Sequence, residues 1–259
     1  MFEPRLLGRT GLPVCPIGLS SGYGVPAAAV ERAVDAGVNY LYWGSRRTSA
    51  FPEALRHLGS RRDGLILVLQ SYMPTGALIA RSLERGLKKL GVERADVLLL
   101  GFWTRVPPPA IQEACARLKA RGLVRFVAVS SHKRALLADL AQGEFADILH
   151  VRYNAAHRGA EHDVFPSLGP RPPGIVSFTA TCWKKLLRAA PDAAKGRTPG
   201  AGDCYRFVLS HPAVSVCMTG PSRAEHVDDV LAALRRGPMD DDELAWMRRV
   251  GDVVYGKAR

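Results

Sequence analysis

Short apolar runs alternate with helix-period segments along the whole chain. Eight runs rich in Val, Leu and Ile have the length of strands: CPIGLS, NYLYW, LILVLQ, DVLLLGF, RFVAVS, DILHVRY, GIVSFT and VSVCMT. Most are followed by a clear stretch in which apolar residues recur on one face of a helix, and the sixth by a weaker one. Near-continuous apolar strands between helices are typical of a parallel sheet whose outer face is covered. Eight such units in 259 residues predict one barrel domain over 1–259.

Local signals at the ends of these segments support the same arrangement. Gly37, Gly91 and Gly122 each stand between a helix-period stretch and the next strand, where glycine commonly ends helices. The prolines at 107–109 can open the fourth helix, where a missing N–H carries no penalty. The string RLLGRTGLPV predicts an N-terminal β-hairpin, and an amphipathic stretch at about 239–254 predicts an extra C-terminal helix. We therefore expect an α/β fold: a single (β/α)8 TIM barrel with these two additions.

Composition limits the classes of partner. The formal net charge is +12, but the arginines are scattered through helices beside Glu and Asp, without a nucleic-acid-binding motif. We therefore expect no nucleic-acid partner. The phosphate of a bound nucleotide is the simpler explanation for an anionic ligand of this basic chain. No apolar run reaches the ~20 residues that span a bilayer, and the opening MFEPRLLGRT lacks a secretory pattern. The sequence thus predicts no membrane partner and a cytoplasmic location.

The five cysteines form no recognisable metal or disulfide pattern. They are odd in number, lie far apart in sequence and include no CxxC pair. Both a disulfide framework and a structural zinc site are therefore disfavoured, and we expect reduced thiols and no metal.

Several strings, in order, resemble the aldo-keto reductase family. The opening LGRTGLPVCPIGLSSGYG is similar to that family's N-terminal hairpin and first strand, and AVDAGVNYLYWG to its next helix and strand. Further along, SLERGLKKLGVERADVLLLGFW, LKARGLVRFVAVSSH and VLSHPAVSVCMTGPSRAEHVDDVLAAL resemble later family segments. The resemblance covers essentially the whole chain. It implies the barrel fold and reduction of carbonyl groups with NAD(P)H at the C-terminal ends of the strands.

The positions of the family's catalytic tetrad hold different residues here. The family uses Asp, Tyr, Lys and His, and the resemblance places Tyr42, Arg47, Gln70 and Gly101 at these positions. A phenol is a weak acid at neutral pH unless a nearby cation lowers its pKa. Arg47 cannot donate a proton, because a guanidinium stays charged at any accessible pH. Gln70 lacks the charge of a lysine, so the family's usual mechanism is not expected.

Two interpretations of the segment GVNYLYWGSRR remain open. Tyr42 beside Arg47 can form an activated phenol, with the arginine holding the phenolate or an anionic substrate. Tyr42, Arg47 and Gln70 are then the catalytic residues. Alternatively, Tyr42 and Trp43 fill space left by smaller residues and cap the barrel.

Other polar or aromatic residues are also predicted at the mouth. Long, irregular loops are expected there from 155–173 and 180–203, which are rich in Gly, Pro, Ala and basic residues. A mouth of this composition suits a planar small molecule that is anionic or aromatic. The predicted mouth residues are Tyr23, Arg46, Tyr72, Trp103, Arg105, His132, Arg152 and Tyr153.

The resemblance also implies a site for NADP(H). Ser130 and Ser131 stand where the family has a Ser–Asn pair, and His150 stands where it has a Gln. In the family these residues together hold the nicotinamide carboxamide. Phe178 replaces the aromatic residue that stacks on the nicotinamide ring.

The segment TGPSRAEH, after the eighth strand, is a second candidate contact with the cofactor. Barrels commonly bind phosphate there, at a helix N-terminus. Gly220 allows close backbone approach, Ser222 can cap the helix, and Arg223 can contact a 2′-phosphate. His226 and Val230 stand where the family holds adenine with Gln and Asn. The alternative is a capped helix with a solvated arginine.

Three functions are consistent with these features. The first is an NADP(H)-dependent oxidoreductase with an unusual acid, for which Tyr42 is the best candidate. The second is a non-redox enzyme, such as a lyase, cyclase or isomerase, that reuses the pocket. The third is a catalytically silent relative that binds a nucleotide or a protein partner. The changed tetrad positions weaken the first, and the basic, aromatic mouth favours an occupied pocket in each case.

Overall fold

The eight strand–helix units close into a barrel in the computed structural model, which describes residues 1–44, 48–189 and 197–257. All eight barrel strands run parallel, each beside the next in chain order, and the last pairs with the first. The strands are β3 (Ile17–Ser20), β4 (Tyr40–Trp43), β5 (Ile66–Ser71), β6 (Ala95–Leu100), β7 (Val124–Ser131), β8 (Ile148–Arg152), β9 (Gly174–Phe178) and β10 (Val216–Thr219). The predicted (β/α)8 barrel is confirmed.

Helices follow the strands and form the outer layer. They are α1 (Ala27–Asp35), α2 (Ala50–Leu58), α3 (Gly76–Leu90), α4 (Pro109–Ala120), α5 (Arg134–Gln142), α6 (Ala160–Asp163), α7 (Ala201–Leu209), α8 (Ala224–Arg236) and the additional C-terminal α9 (Asp241–Lys257). α3 begins after Thr75, whose side chain accepts the Leu78 N–H, and ends at left-handed Gly91. α6 is a single turn, which explains the weak signal before β9. None of the helices described is long and apolar enough to cross a membrane.

A hairpin closes the end of the barrel at which the strands begin. Its strands, β1 (Arg5–Leu6) and β2 (Pro13–Val14), pair in antiparallel fashion as predicted. Leu7 is fully buried against the barrel interior. Gly8 has a φ of 51°, and a Cβ atom there would lie 2.3 Å from the backbone nitrogen of Gly174. The hairpin can therefore approach the barrel this closely only with glycine at this position.

Strand side chains alternate between the barrel interior and the helices, which explains the near-continuous apolar runs. The alternation corrects two predictions, because the sequence places Trp43 and Tyr153 at the mouth. Each directly follows an inward-facing residue and so points outward. The indole of Trp43 packs beside Lys89, and the hydroxyl of Tyr153 donates to Glu161. Both rings belong to the core between barrel and helices.

Ion pairs hold α9 against the barrel. Buried Arg206, on α7, donates to both carboxylate oxygens of Glu243 at the start of α9. Arg248 in the same helix donates to both oxygens of Glu161. Such two-bond pairs fix orientation as well as position. The closed end and the outer layer are thus firmly fixed, and the open end is where the long loops lie.

Candidate active site at the barrel mouth

The C-terminal ends of the strands bring several predicted site residues to one mouth. Every second strand residue faces inward, and the pairing of β7 with β8 sets Ser130 opposite His150. Phe178 ends the next strand, β9. On the other side of the mouth, Tyr42 on β4 and Gln70 on β5 are in direct contact. The barrel therefore gathers these five residues around one opening.

The hydroxyl of Tyr42 donates a hydrogen bond to Oε1 of Gln70, which is buried. Burial, followed by the neighbouring phenols of Tyr72 and Tyr23, raises the pKa of Tyr42 above its ordinary value. This shift is opposite to the one that a nearby cation would cause. Arg47, the cation predicted beside Tyr42, lies outside the described residues. Within the described residues, Tyr42 is a phenol that keeps its proton at neutral pH.

Gly101 leaves a space that Tyr72 and Gln70 fill. A Cβ atom at Gly101 would lie 2.4 Å from Cε1 of Tyr72 and 2.5 Å from Nε2 of Gln70. A larger side chain at this position is therefore incompatible with the observed position of the Tyr72 ring. The phenol of Tyr72 in turn lies close enough to Tyr42 to help raise the pKa of Tyr42. The sequence predicts Tyr72 at the mouth but gives no sign of its packing against Gly101.

Below the mouth, Tyr40 and His150 form a buried polar pair. The Tyr40 hydroxyl lies 3.0 Å from Nε2 of His150, and both side chains are buried. Burial lowers the pKa of His150 to about 3, so its ring is neutral. Among the described residues, neither Nδ1 of His150 nor the hydroxyl of buried Ser130 has a hydrogen-bond partner. Tyr40 is not among the residues predicted from the sequence, although the hydroxyl of a tyrosine within a buried strand usually needs a hydrogen-bond partner.

Ser131 does not share this opening. Its hydroxyl donates to the carbonyl oxygen of Trp103 at 2.7 Å and accepts the N–H of Lys133 at 3.0 Å. These bonds fix the loops after β6 and β7. Successive strand residues face opposite sides, so Ser131 points away from the barrel interior that Ser130 faces. In this arrangement Ser131 is not placed to make the predicted contact with a carboxamide.

The loop between β10 and α8 differs from the prediction in two respects. Ser222 does not cap the helix: Arg223 is the residue at the N-cap, and no side chain bonds there. The Ser222 hydroxyl instead lies 3.2 Å from Nδ1 of His226, and Arg223 lies 3.2 Å from its Nε2. The open face of Gly220 is covered by Tyr23, whose Cδ2 would lie 2.4 Å from a Cβ atom. Val230, predicted near adenine, is buried in the core.

A row of rings runs along the mouth from β5 to β9. Tyr72 stacks on Phe102 with ring centroids 5.5 Å apart, and Phe102 on His132 at 5.1 Å. His132 then meets Phe178 edge to face at 5.6 Å. We call these four rings the aromatic row. Phe102 was not predicted; its position two residues beyond β6 is the signal that could have identified it.

A model of the aldo/keto reductase family matches residues 26–169, more than half of the chain. The chain belongs to the aldo/keto reductase family. Two solved structures of similar fold are the aldo-keto reductase AKR11C1 from Bacillus halodurans in its holo form and an aldo/keto reductase from Klebsiella pneumoniae in complex with NADP and acetate. The first is 18% identical over 96% of each chain, with a TM-score of 0.79. The second is 23% identical over 97% of this chain and 96% of the other, with a TM-score of 0.77. At these identities the likeness shows the fold, and no curated protein sequence matches the chain.

In this member of the family, the predicted site residues fall into three groups. Tyr42, Gln70, Ser130, His150 and Phe178 share the mouth. The residues around the start of α8 form a separate cluster. Ser131 instead holds the loops after β6 and β7 through its hydrogen bonds. Arg47 lies outside the described residues, as does its neighbour at position 46. Within the described ranges, no three His, Cys, Asp or Glu side chains are placed to hold a metal ion.

Proposed function

We propose that this chain is an NADP(H)-dependent oxidoreductase with an atypical active site that lacks the family's Asp, Tyr, Lys and His. Family membership supports the activity class. The Klebsiella pneumoniae protein of the same fold is in complex with NADP. The observation that carries the proposal is a pair of polar atoms on adjacent strands, Ser130 Oγ and His150 Nδ1, neither with a partner among the described residues.

These atoms fit a nicotinamide carboxamide, which offers an amide donor and a carbonyl acceptor. The Ser130 hydroxyl can donate or accept, and neutral His150 presents Nδ1 on the next strand. Phe178 offers a half-buried ring at the end of β9, against which a flat heterocycle can pack. These three residues would hold the reactive end of the cofactor, which supplies a hydride when bound.

Residues at the start of α8 would hold the phosphates of the cofactor. The N-terminus of a helix attracts anions, and Arg223 adds a positive charge there. His226 contacts both Ser222 and Arg223, so these three side chains would act as one unit. Tyr23 would have to turn away before a phosphate could approach the backbone of Gly220. Tyr23 is 65% exposed, so few packing contacts oppose such a movement.

Tyr42 would supply the proton for carbonyl reduction. As the carbonyl is reduced, the O–H bond of Tyr42 would break and its proton would pass to the carbonyl oxygen, and a proton from solvent would then restore the phenol. In the structure the Tyr42 proton is donated to Gln70, so the hydroxyl would have to turn from Gln70 to the carbonyl oxygen before it could act as the acid. Because burial raises the pKa of Tyr42, this proton is released reluctantly. We therefore expect slow reduction, and still slower alcohol oxidation, since oxidation needs the phenolate as a base.

The alternative is a catalytically silent relative that binds the nucleotide without turning over a carbonyl. The environment of Tyr42 favours it, because no Lys or Arg among the described residues counteracts the rise in its pKa. Binding and turnover must therefore be measured separately.

Titration with NADPH, NADP and NADH, followed by tryptophan fluorescence, tests the cofactor. We expect NADPH to bind and Ser130→Ala to weaken that binding, whereas absence of a response up to millimolar concentrations would remove the proposal. A carbonyl panel with wild type and Tyr42→Phe then tests the chemistry. Tyr205→Phe, which removes a phenol from buried α7, is the matched control. Cofactor binding without turnover, unaffected by Tyr42→Phe, would identify the silent relative.

A further inference from the structure

The loops around the mouth carry cations with almost no carboxylates. Seven of the eight loops that follow the barrel strands contain no Asp or Glu, and the eighth contains only Asp192, outside the described residues. Within the described residues five of the eight contain Lys or Arg, although Arg158 pairs with Asp252 and Arg223 with Glu225. Fixed charges of one sign around a concave opening concentrate counter-ions. The mouth is therefore suited to an anionic ligand.

Arg152 is the cation that joins this charge to the aromatic row. It ends β8, pairs in register with Phe178 and is half-buried. Among the described residues, none forms a hydrogen bond or an ion pair with its side chain. Burial and then the charge of Arg152 hold the pKa of His132 below its usual value. Partly buried charges are normally paired. Within the described part of the chain the Arg152 guanidinium has no anion, so it is available to an anionic ligand.

Phe102 gives independent support for a ligand at the same place. Its φ of 52° lies in the left-handed region, which costs a non-glycine residue roughly 1 to 2 kcal/mol. Phe102 is 50% exposed as a residue, and its ring lies between Tyr72 and His132. A strained residue that displays an apolar ring to solvent is more typical of a binding surface than of a core.

We propose that the aromatic row and Arg152 bind the substrate, a planar aromatic carbonyl compound that bears a carboxylate or phosphate. Its ring lies against Phe102 and His132, and its anionic group lies on the Arg152 guanidinium. Offset stacking and a two-bond guanidinium contact are the interactions that such a molecule offers. The inference rests on the proposed function, because it names the substrate class of the same mouth.

Calorimetric titration with three small probes tests this inference, with and without NADPH. The probes are 2-naphthoate, the neutral 2-naphthalenemethanol and the non-aromatic cyclohexanecarboxylate. Each is measured on wild type, Arg152→Met, Arg152→Lys and Phe102→Leu. Arg171→Met is the matched control, because Arg171 is exposed and precedes β9, at the opposite end of the strand from the mouth. Thermal unfolding establishes that each variant is folded.

We expect 2-naphthoate to bind about tenfold more tightly than either other probe, because each of those lacks one of the two interactions. Arg152→Met should remove the preference for the anion, Arg152→Lys should restore part of it, and Arg171→Met should leave it intact. Phe102→Leu should weaken 2-naphthoate but not cyclohexanecarboxylate. Equal affinities for the three probes, or no effect of Arg152→Met, would overturn the inference.

The cofactor itself carries phosphates that could occupy Arg152. If Arg152→Met weakens NADPH and leaves 2-naphthoate unchanged, the guanidinium serves the cofactor and the inference is wrong. If 2-naphthoate binding depends on Arg152 while NADPH does not bind at all, the anion site is supported and the oxidoreductase assignment fails. The two proposals therefore fail separately.

Discussion

The two ends of the barrel treat their polar groups differently. At the closed end, Asp96 and Asp147 each accept a backbone N–H from a neighbouring strand and each pair with a basic side chain. At the mouth, Arg152 has no ion-pair partner among the described residues, and the Ser130 hydroxyl and Nδ1 of His150 lack hydrogen-bond partners there. These two aspartates of the closed end are fully paired, although the buried Nε of Arg9 in the hairpin has no hydrogen-bond partner among the described residues, and the mouth presents unpaired donors, acceptors and charge.

This difference separates stability from binding. Buried polar groups that are satisfied stabilise the fold, whereas unsatisfied ones cost free energy until a ligand meets them. Substitutions at the closed end should therefore change the free energy of unfolding most. Substitutions at the mouth should change ligand affinity most, at little cost in stability. The following predictions test that division.

The largest effect is expected at Gly8, in the hairpin of the closed end. Its φ of 51° and a Cβ position 2.3 Å from a backbone nitrogen both oppose alanine. We expect Gly8→Ala to lower the free energy of unfolding by about 3 kcal/mol, from conformational strain and overlap together. Thermal unfolding measures it. Gly11→Ala is the control, because Gly11 also has positive φ but has nothing within 4 Å of a Cβ atom. Equal losses for the two variants would show that the hairpin can move away from the barrel.

His150 makes the mouth end sensitive to acid. Its folded-state pKa of about 3 lies below the ordinary value of 6.5, so the unfolded chain binds a proton that the folded chain does not. Stability from this group is complete above pH 6.5 and is lost as pH falls toward 3, by ~1.4 kcal/mol per pH unit. Between pH 6.5 and 4.5 we expect the free energy of unfolding to fall by about 2 to 3 kcal/mol less in His150→Gln than in the wild type. Parallel thermal-unfolding profiles for the two proteins would contradict this.

At the closed end, a substitution of Asp147 should lower the free energy of unfolding by less than Gly8→Ala does. Its Oδ2 accepts the Val127 N–H at 2.8 Å and the Lys119 ammonium at 2.7 Å. Asp147→Asn keeps an acceptor for the N–H but removes the charge, so we expect a loss of about 1 to 2 kcal/mol. Denaturant unfolding measures it, with exposed Asp139→Asn on α5 as control. An Arg152→Met variant should show no comparable loss; if it does, the ends of the barrel do not differ as described.

The sequence was sufficient for the barrel but only partly for the mouth. Eight apolar strands alternating with helices leave few other folds, and the resemblance had already indicated the family. The direction of Trp43 and Tyr153 was predictable in principle, because period two places them opposite Tyr42 and Arg152. The packing of Tyr72 over Gly101 was not, since it depends on loop conformation rather than on strand pattern. The left-handed backbone of Phe102 could not be predicted either, because glycine is the residue that usually signals that conformation in a sequence.

The smallest effect on stability is expected at Gly101, the counterpart of Gly8 at the mouth. A Cβ atom there would lie 2.4 Å from the ring of Tyr72, an overlap as short as the one at Gly8. Tyr72 is 40% exposed, however, and its side chain can swing outward. We therefore expect Gly101→Ala to cost about 1 kcal/mol or less. Moving Tyr72 removes one ring from the aromatic row, so affinity for 2-naphthoate should fall about threefold.

The double variant Gly101→Ala/Tyr72→Ala separates the two neighbours of the added methyl group. If Tyr72 alone is displaced, the double variant should bind 2-naphthoate as weakly as Tyr72→Ala and be no less stable than it. A further loss of stability would place the strain on buried Gln70, whose Nε2 lies 2.5 Å from the same Cβ position. A loss as large as that of Gly8→Ala would mean that the mouth is as rigid as the closed end. The contrast between the two ends would then lie in their polar groups alone.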